Sequence, residues 1–238
     1  DGGVIHRIGQ MRSIFPNKET PNIAIMVKQR PAPEGQVALL VNCPPELQTD
    51  GGAQSFPLYL YEKVELEQSD TNDMFVEQPV QTELRRRDAI TDTGLAHFQE
   101  AYPETTITKE DIFYYVYGLL HSPDYRERYG DNLSKELPRI PRVKSAVDFW
   151  AFSKAGRDLA HWHLNYETVE LYPLTIDAKG ILSDADYRVE KMKFAKKGDK
   201  STVIYNGKIT LRDIPAEAWD YVVNGKAALD WVMERQSV

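Results

Sequence analysis

The sequence predicts an α+β fold, with a β-rich N-terminal part, a helical middle and a C-terminal β-hairpin followed by a helix. Three observations carry that expectation. Short β-prone apolar runs bounded by Pro, Gly and Asn crowd the first 65 residues. In the middle, Thr108/Asp111 and Ser145/Asp148 have the spacing of helix capping boxes. Near the C-terminus an Asn-Gly pair, Asn206-Gly207, separates two alternating β-prone segments. The expected organisation is one domain over 1–238, with a β-rich subregion 1–81 and an α+β subregion 82–238.

Taken in order, Asn22 to Lys28 and Gln36 to Asn42 are the first two strands, and QRPAPEG between them is a turn whose prolines stop pairing. Gln54 to Glu62, rich in aromatics, is a third strand, and the acidic stretch up to about Gln81 is a loop with few large apolar residues. From Leu84 to Ala101 the apolar positions Leu84, Ala89, Ile90, Leu95 and Phe98 predict a helix that Gly94 could interrupt. Thr108 then caps a helix through IFYYVYGLL, apolar nearly all round and therefore expected inside the core. Ser122-Pro123 opens another helix, DYRERY, ending at Gly130. LPRIPRV (137–143) cannot be helical, because each proline pushes its predecessor into extended geometry. Ser145 starts a helix through about Asn165 with Val147, Trp150, Leu159 and Trp162 as its apolar stripe. After Tyr172 the chain returns to β. Tyr187 to Ala195 alternates apolar and basic residues with one break in phase. Thr202–Tyr205 and Lys208–Leu211 flank Asn206-Gly207 as a type I′ hairpin. Pro215 starts a short helix and Gly225 to Glu234 gives a last one.

Composition narrows the class. Hydrophobic residues make up 42% and charged residues 27%, as in soluble globular proteins, and no apolar run approaches a membrane span. The first ten residues hold no apolar signal core and no initiator Met, so the chain reads as a fragment of something longer. Cys43 is the lone cysteine, which excludes an internal disulfide and a cysteine-based metal site and suits a reducing, cytoplasmic location. A net charge of −7 argues against generic nucleic-acid binding, but the charge is polarised. Glu62 to Glu83 holds seven acids against one lysine, a local −6, and Asp186 to Arg212 holds eight bases against three acids, a local +5. An acidic protein with such a distribution can still present one basic face.

Catalytic motifs are missing. No phosphate-binding glycine loop and no G-x-S-x-G elbow occurs, so ATPase, dinucleotide and α/β-hydrolase chemistry have no support. Asn42-Cys43-Pro44-Pro45 resembles the Asn-Pro-Pro-Tyr of amino-methyltransferases, departs from it at the second and last positions, and reads as a turn. His161 and His163 on one helix point about 200° apart and cannot chelate a single ion. Asp177-Ala178-Lys179, the nearest approximation to a metal-nuclease signature, falls in an expected turn.

The basic clusters remain. Lys191, Lys193, Lys196, Lys197 and Lys200 fall within ten residues on a strand and its turn. Such a strand can lie along a phosphate backbone. Lysines on an edge strand equally deter strand-to-strand aggregation, and spacing alone does not separate the two roles. Arg85, Arg86 and Arg87, and Arg139, Arg142 and Lys144, are further basic spots that read as ordinary surface before they read as a binding site.

The run from Thr108 to Pro141 resembles the C-terminal segment of single-polypeptide Type ISP restriction–modification enzymes. Further pieces agree in order along the chain: Arg12-Ser13-Ile14-Phe15-Pro16, Ser55 to Glu62, Tyr205 to Ile209 and Asp220 to Trp231. Those enzymes join a nuclease, a helicase-like translocase, an adenine methyltransferase and a C-terminal target-recognition domain. The resemblance implies a non-catalytic domain that holds double-stranded DNA, reads a short site and positions the attached methyltransferase domain of a longer chain, with no cofactor of its own. It does not assign base-reading residues, which would be Arg, Lys, Asn, Gln or Ser on loops that reach base edges. Two other readings stay open. One is a docking or scaffold domain with little DNA contact, which the acidic 62–83 segment suits. The other is a stand-alone hydrolase, which needs clustered carboxylates or a nucleophile–base pair in a pocket.

Overall fold

The computed structural model describes residues 11–28, 38–45, 53–65, 82–133, 136–223 and 225–236. Its architecture is α+β, as the sequence predicts, with β-strands first, helices in the middle, and strands followed by a helix at the end. The chain forms two compact units, 1–169 and 170–238, so the β-rich start shares its unit with the helical middle. The expected 29–35 turn and the acidic loop beyond Glu65 lie outside the described residues.

The first unit opens with three antiparallel strands, β1 (Ala24–Lys28), β2 (Ala38–Val41) and β3 (Ala53–Pro57), in the order β2-β1-β3. Ala24, Ile25, Met26 and Val27 are all buried, which is why the central strand is apolar without alternation. The third predicted strand is in fact two. Pro57 has no N–H to extend the ladder, Leu58 turns inward, and β4 (Tyr59–Glu65) leaves for a separate sheet. Asn22 ties this junction. Its buried side chain donates to the carbonyls of Ile14 (2.8 Å) and Tyr59 (2.9 Å) and accepts from the amides of Ile23 (2.9 Å) and Tyr59 (3.2 Å).

The helix expected over 84–101 is a correction. Thr82–Asp88 is β5, antiparallel to β4 along its whole length, and helix α1 begins only at Asp92 and ends at Gln99. Glu, Leu and Arg are good helix formers, but pairing with β4 places Arg85 opposite Glu62 and lets Arg87 reach the same carboxylate (2.5 Å), so tertiary contact overrides propensity. Gly94 does not break the helix. Its amide is the one capped by Thr91 (3.1 Å).

Helix α2 (Lys109–His121) has the predicted capping box of Thr108 and Asp111, and buries eight residues, among them Tyr115 and Tyr117 at 0% exposure. Helix α3 (Pro123–Leu133) runs three residues past Gly130, because buried Leu133 anchors its last turn. Helix α4 (Ala146–Leu164) starts at Ser145, whose hydroxyl accepts from the Asp148 amide (3.1 Å). The predicted stripe on α4 holds in half, since Trp150 and Leu159 pack on the core. Val147 and Trp162 are exposed, and the buried face is Ala146, Phe149, Ser153, Gly156 and Ala160. Small residues line it because α2 and α4 cross backbone to backbone. A Cβ on Gly118 would meet the Phe152 carbonyl oxygen at 2.2 Å, and one on Gly156 the Tyr114 carbonyl oxygen at 1.9 Å. Arg157 clasps the crossing, donating to Glu110 (2.9 Å) and Asp111 (2.7 Å) with its guanidinium 4.3 Å from the Tyr114 ring centroid.

The second unit holds a four-stranded antiparallel sheet, order β6-β9-β8-β7, of β6 (Thr175–Ala178), β7 (Lys193–Lys196), β8 (Asp199–Ile204) and β9 (Ile209–Arg212). A two-stranded ribbon, β10 (Val222–Val223) with β11 (Lys226–Ala227), and helix α5 (Ala228–Arg235) complete it over a core of Met192, Val203, Trp219 and Ala227. The predicted hairpin exists, with Val203 opposite Leu211, but its turn is not type I′. Neither Asn206 nor Gly207 has positive φ. The Asn206 carboxamide closes the loop instead, accepting from the amides of Lys208 and Ile209 (2.9 Å each) and donating to the carbonyls of Asp186 (2.7 Å) and Arg188 (3.0 Å). The left-handed glycine of the sheet is Gly198 (φ +83°), in the two-residue turn from β7 to β8. Asp177 and Ala178 lie in strand β6 rather than in a turn, and Asp177 accepts from Arg212 (2.8 Å).

Candidate nucleic-acid interface

The basic hairpin of the sequence is an edge of the second unit's sheet. Strand β7 is the outermost strand, so one of its sides has no partner strand among the described residues. Lys193 and Lys196 lie on β7, Lys191 just before it, Lys197 in the turn and Lys200 on β8, all exposed. A register shift between Phe194 and Lys196 lets Phe194 turn inward against Trp219 while lysines stand on both sides of it. Lys200 is engaged, 3.8 Å from Asp230 and stacked over the Trp219 ring at 4.7 Å. Lys191, Lys193, Lys196 and Lys197 make no ion pair among the described residues. Cations without an ion pair among the described residues attract an anion more strongly than paired ones, although Lys196 also feels the Asp199 carboxylate.

The arginine run lies on the two-stranded β4–β5 ribbon of the first unit. Arg87 pairs with Glu62 and Arg86 stacks 4.3 Å over Tyr59, while Arg85 stands exposed. Acids and bases therefore offset each other along this ribbon, which leaves it less cationic than the run of three arginines suggests.

The third cluster sits on the 137–143 connector, whose burial repeats every three residues. Leu137, Ile140 and Val143 pack on the core, whereas Arg139 and Arg142 are exposed. Three residues per turn is the period of a polyproline-II helix, which has no internal hydrogen bonds and leaves every carbonyl free. Three tyrosines supply donors to those carbonyls. The hydroxyl of Tyr125 donates to Arg139 (2.8 Å), that of Tyr115 to Pro141 (2.6 Å) and that of Tyr102 to Val143 (2.5 Å). Burial raises the pKa of all three, pushing Tyr115 up to about 12, so the hydroxyls stay protonated and keep donating. Sequence reasoning misses these tyrosines. The available signal is Tyr rather than Phe at apolar helix positions, because a buried hydroxyl needs a partner.

His161 and His163 diverge as expected. His163 instead shares a hydrogen bond between its Nδ1 and the Tyr117 hydroxyl (2.6 Å) and packs 5.4 Å from His121, and burial lowers both histidine pKa values, His121 to about 4. No group of three or more His, Cys, Asp or Glu among the described residues is placed to hold a metal ion, and Cys43 is exposed. Two half-open hollows are apolar. One of about 420 Å³ lies in the first unit against Ile25, Phe56, Leu60 and Ile140, and one of about 410 Å³ in the second against Tyr172, Trp219, Leu229 and Met233. Among the described residues no helix is long and apolar enough to cross a membrane.

Comparison with known proteins follows the same line. The family model described as Type ISP C-terminal specificity domain matches residues 1–238. No curated protein matches the chain. Among solved structures, the ATP-dependent Type ISP restriction-modification enzyme LlaBIII bound to DNA is 33% identical with a TM-score of 0.69, over 96% of this chain and 14% of that one. A nuclease-deletion mutant of the Type ISP enzyme LlaGI, in complex with a DNA substrate mimic, is 32% identical with a TM-score of 0.64, over 96% of this chain and 18% of that one. The DrdV–DNA complex is 35% identical with a TM-score of 0.70, over 95% of this chain and 21% of that one. The chain thus spans about a fifth or less of each of these three proteins.

Proposed function

The chain belongs to the Type ISP C-terminal specificity domains, and on that premise we propose that it recognises a target sequence on duplex DNA, without catalysis or cofactor of its own. In a longer restriction–modification polypeptide it would position an attached adenine methyltransferase and translocase–nuclease on that target. The observation that carries the reading is the whole-chain likeness to domains of enzymes whose structures contain DNA. The charge distribution supports it. A chain of net charge −7 repels DNA in bulk, so any contact has to be made through local cationic edges, and the β7 edge presents four lysines without an ion pair among the described residues.

Phosphate contacts set register and orientation, and base-edge contacts carry sequence information. We assign Lys191, Lys193, Lys196 and Lys197 to the first task. The test is fluorescence anisotropy of the chain with a random-sequence duplex across a salt series. Exchange of Lys191, Lys193 and Lys197 for Glu should weaken binding and reduce the slope of log K against log salt by about 2.7, since each phosphate no longer neutralised removes about 0.9. Unchanged affinity and slope would limit these lysines to edge protection.

A second reading has its own observation. Leu171, Tyr172, Ile176 and Ile181 in the second unit are 57–99% exposed, more apolar surface than one small unit usually leaves open. Exposed apolar side chains of this size suit docking against the rest of a longer polypeptide. Absence of DNA binding at low salt would favour docking over recognition.

A further inference from the structure

We propose that Arg139, Arg142 and Lys144 form a rigid ridge that grips the DNA phosphate backbone, and that Tyr102, Tyr115 and Tyr125 are its positioning residues; this rests on the DNA-recognition reading above. The ridge begins with a triplet pattern. Residues 137–142 repeat an apolar residue, a proline and an arginine, Leu137-Pro138-Arg139 and Ile140-Pro141-Arg142. In a three-residue turn that repeat makes three lengthwise rows, and the burial follows it, with the apolar row inward and the arginine row outward. At roughly 3.1 Å per residue, Arg139 and Arg142 stand about 9 Å apart on one row, and Lys144, in register with the prolines and exposed on the adjacent row, lies about 6 Å further along. Long side chains at that spacing can follow one phosphate strand.

What an ordinary basic loop lacks is the clamp beneath. The tyrosines come from the segment after α1, from α2 and from α3, and their hydroxyls take alternate carbonyls of the connector, at Arg139, Pro141 and Val143. Tyr115 is held twice, since its oxygen also accepts from the Val143 amide (3.3 Å). A plain connector could satisfy its carbonyls with water. Here three elements commit buried hydroxyls to a segment whose outer row is cationic, so the cations are ordered before any ligand arrives.

The cations keep capacity for phosphate. Arg139 pairs with Glu136 (3.1 Å) in an exposed contact that phosphate can displace, with 84% of the Arg139 side chain exposed. Arg142 uses one nitrogen on the His97 carbonyl (2.8 Å), which leaves other guanidinium donors outward. Lys144 is exposed and has no ion pair among the described residues.

The test is the salt dependence of binding to a random-sequence duplex by the whole chain. Replacing Arg139 and Lys144 by Gln disturbs no bond into the core and should lower the log K–log salt slope by about 1.8, and adding Arg142→Gln should bring the drop to about 2.7. Tyr115→Phe keeps every charge and should still lower the slope, because the ridge no longer holds its register. Tyr61→Phe, which removes the hydroxyl bond to Pro21 (2.8 Å) in the same unit, should leave the slope unchanged. All variants are compared well below their melting temperatures. If the double and triple variants keep the native slope while the β7 lysine exchanges lower it, the ridge is wrong and the recognition reading stands. A native slope in folded Tyr115→Phe overturns the positioning role. If the unaltered chain binds no duplex at all, the recognition reading fails and takes the ridge with it.

Discussion

The α2–α4 crossing makes the sharpest structural prediction. A Cβ at Gly156 would stand 1.9 Å from the Tyr114 carbonyl oxygen and 2.9 Å from the Gly118 amide nitrogen. Non-bonded atoms meet at roughly 3.5 Å, so Gly156→Ala forces the helices apart by an ångström or more. Both obstacles are backbone, so no side chain can rotate away. Overpacking a close-packed core costs about 1–3 kcal/mol and more where nothing yields, whereas Ala for Gly inside a helix returns about 1 kcal/mol. With the cost at the upper end because both obstacles are backbone, the net loss should be about 2 kcal/mol, or about 4–8 °C in Tm for a unit of this size. The control is Gly130→Ala in α3, where an added Cβ meets nothing within 4 Å. That variant should gain roughly 0.5–1 kcal/mol. Paired urea and thermal denaturation curves read both. A Gly156→Ala variant as stable as the unaltered chain would refute the backbone-to-backbone crossing.

Two further outcomes follow from buried polar groups. His121 is kept neutral in the fold, with burial lowering its pKa from 6.5 to about 4, while the unfolded chain takes up the proton near 6.5. Its stabilisation is therefore complete above pH 6.5 and lost as pH falls to about 4, about 3 kcal/mol in all, with His163 acting in the same direction. Denaturation between pH 7 and 4 measures the slope, and a His121→Gln variant with the same slope would assign it elsewhere. Asn22→Ala strands the groups of Ile14, Ile23 and Tyr59 that the carboxamide serves, and should cost about 2–4 kcal/mol in the same assay, whereas a loss below about 1 kcal/mol would mean that water replaces those bonds.

What the sequence made legible was local. The Thr108–Asp111 box and the all-round apolar IFYYVYGLL lead directly to α2, because cap and core agree there. The prolines of 137–143 rule out helix, and the connector is extended. The failures share one cause, contacts distant in sequence. TELRRRD has helix-forming residues and becomes a strand only because β4 lies beside it. On α4 the apolar residues suggest one stripe, but Val147 and Trp162 face outward, and Phe149 with the small Ser153, Gly156 and Ala160 turns inward where α2 approaches. Asn206-Gly207 has the composition of a type I′ turn, yet Asn206 bonds the Asp186 and Arg188 carbonyls and holds another geometry. The break in phase before Met192 marks where β7 does not extend. At the candidate interface the cations are visible in the sequence as clusters. Which of them are engaged, as Lys200 is with Asp230, and which tyrosines lie beneath the connector, only the fold shows.

The central claim is sequence-specific recognition of duplex DNA, and its most direct test is selection. The chain would be incubated at low salt with a pool of randomised duplexes, and the retained DNA amplified and sequenced over several rounds. Enrichment of one short motif, bound more tightly than a scrambled duplex at equal salt, is the predicted result. Retention with no enriched motif would reduce the chain to a sequence-blind phosphate binder, and no retention at low salt would contradict the account.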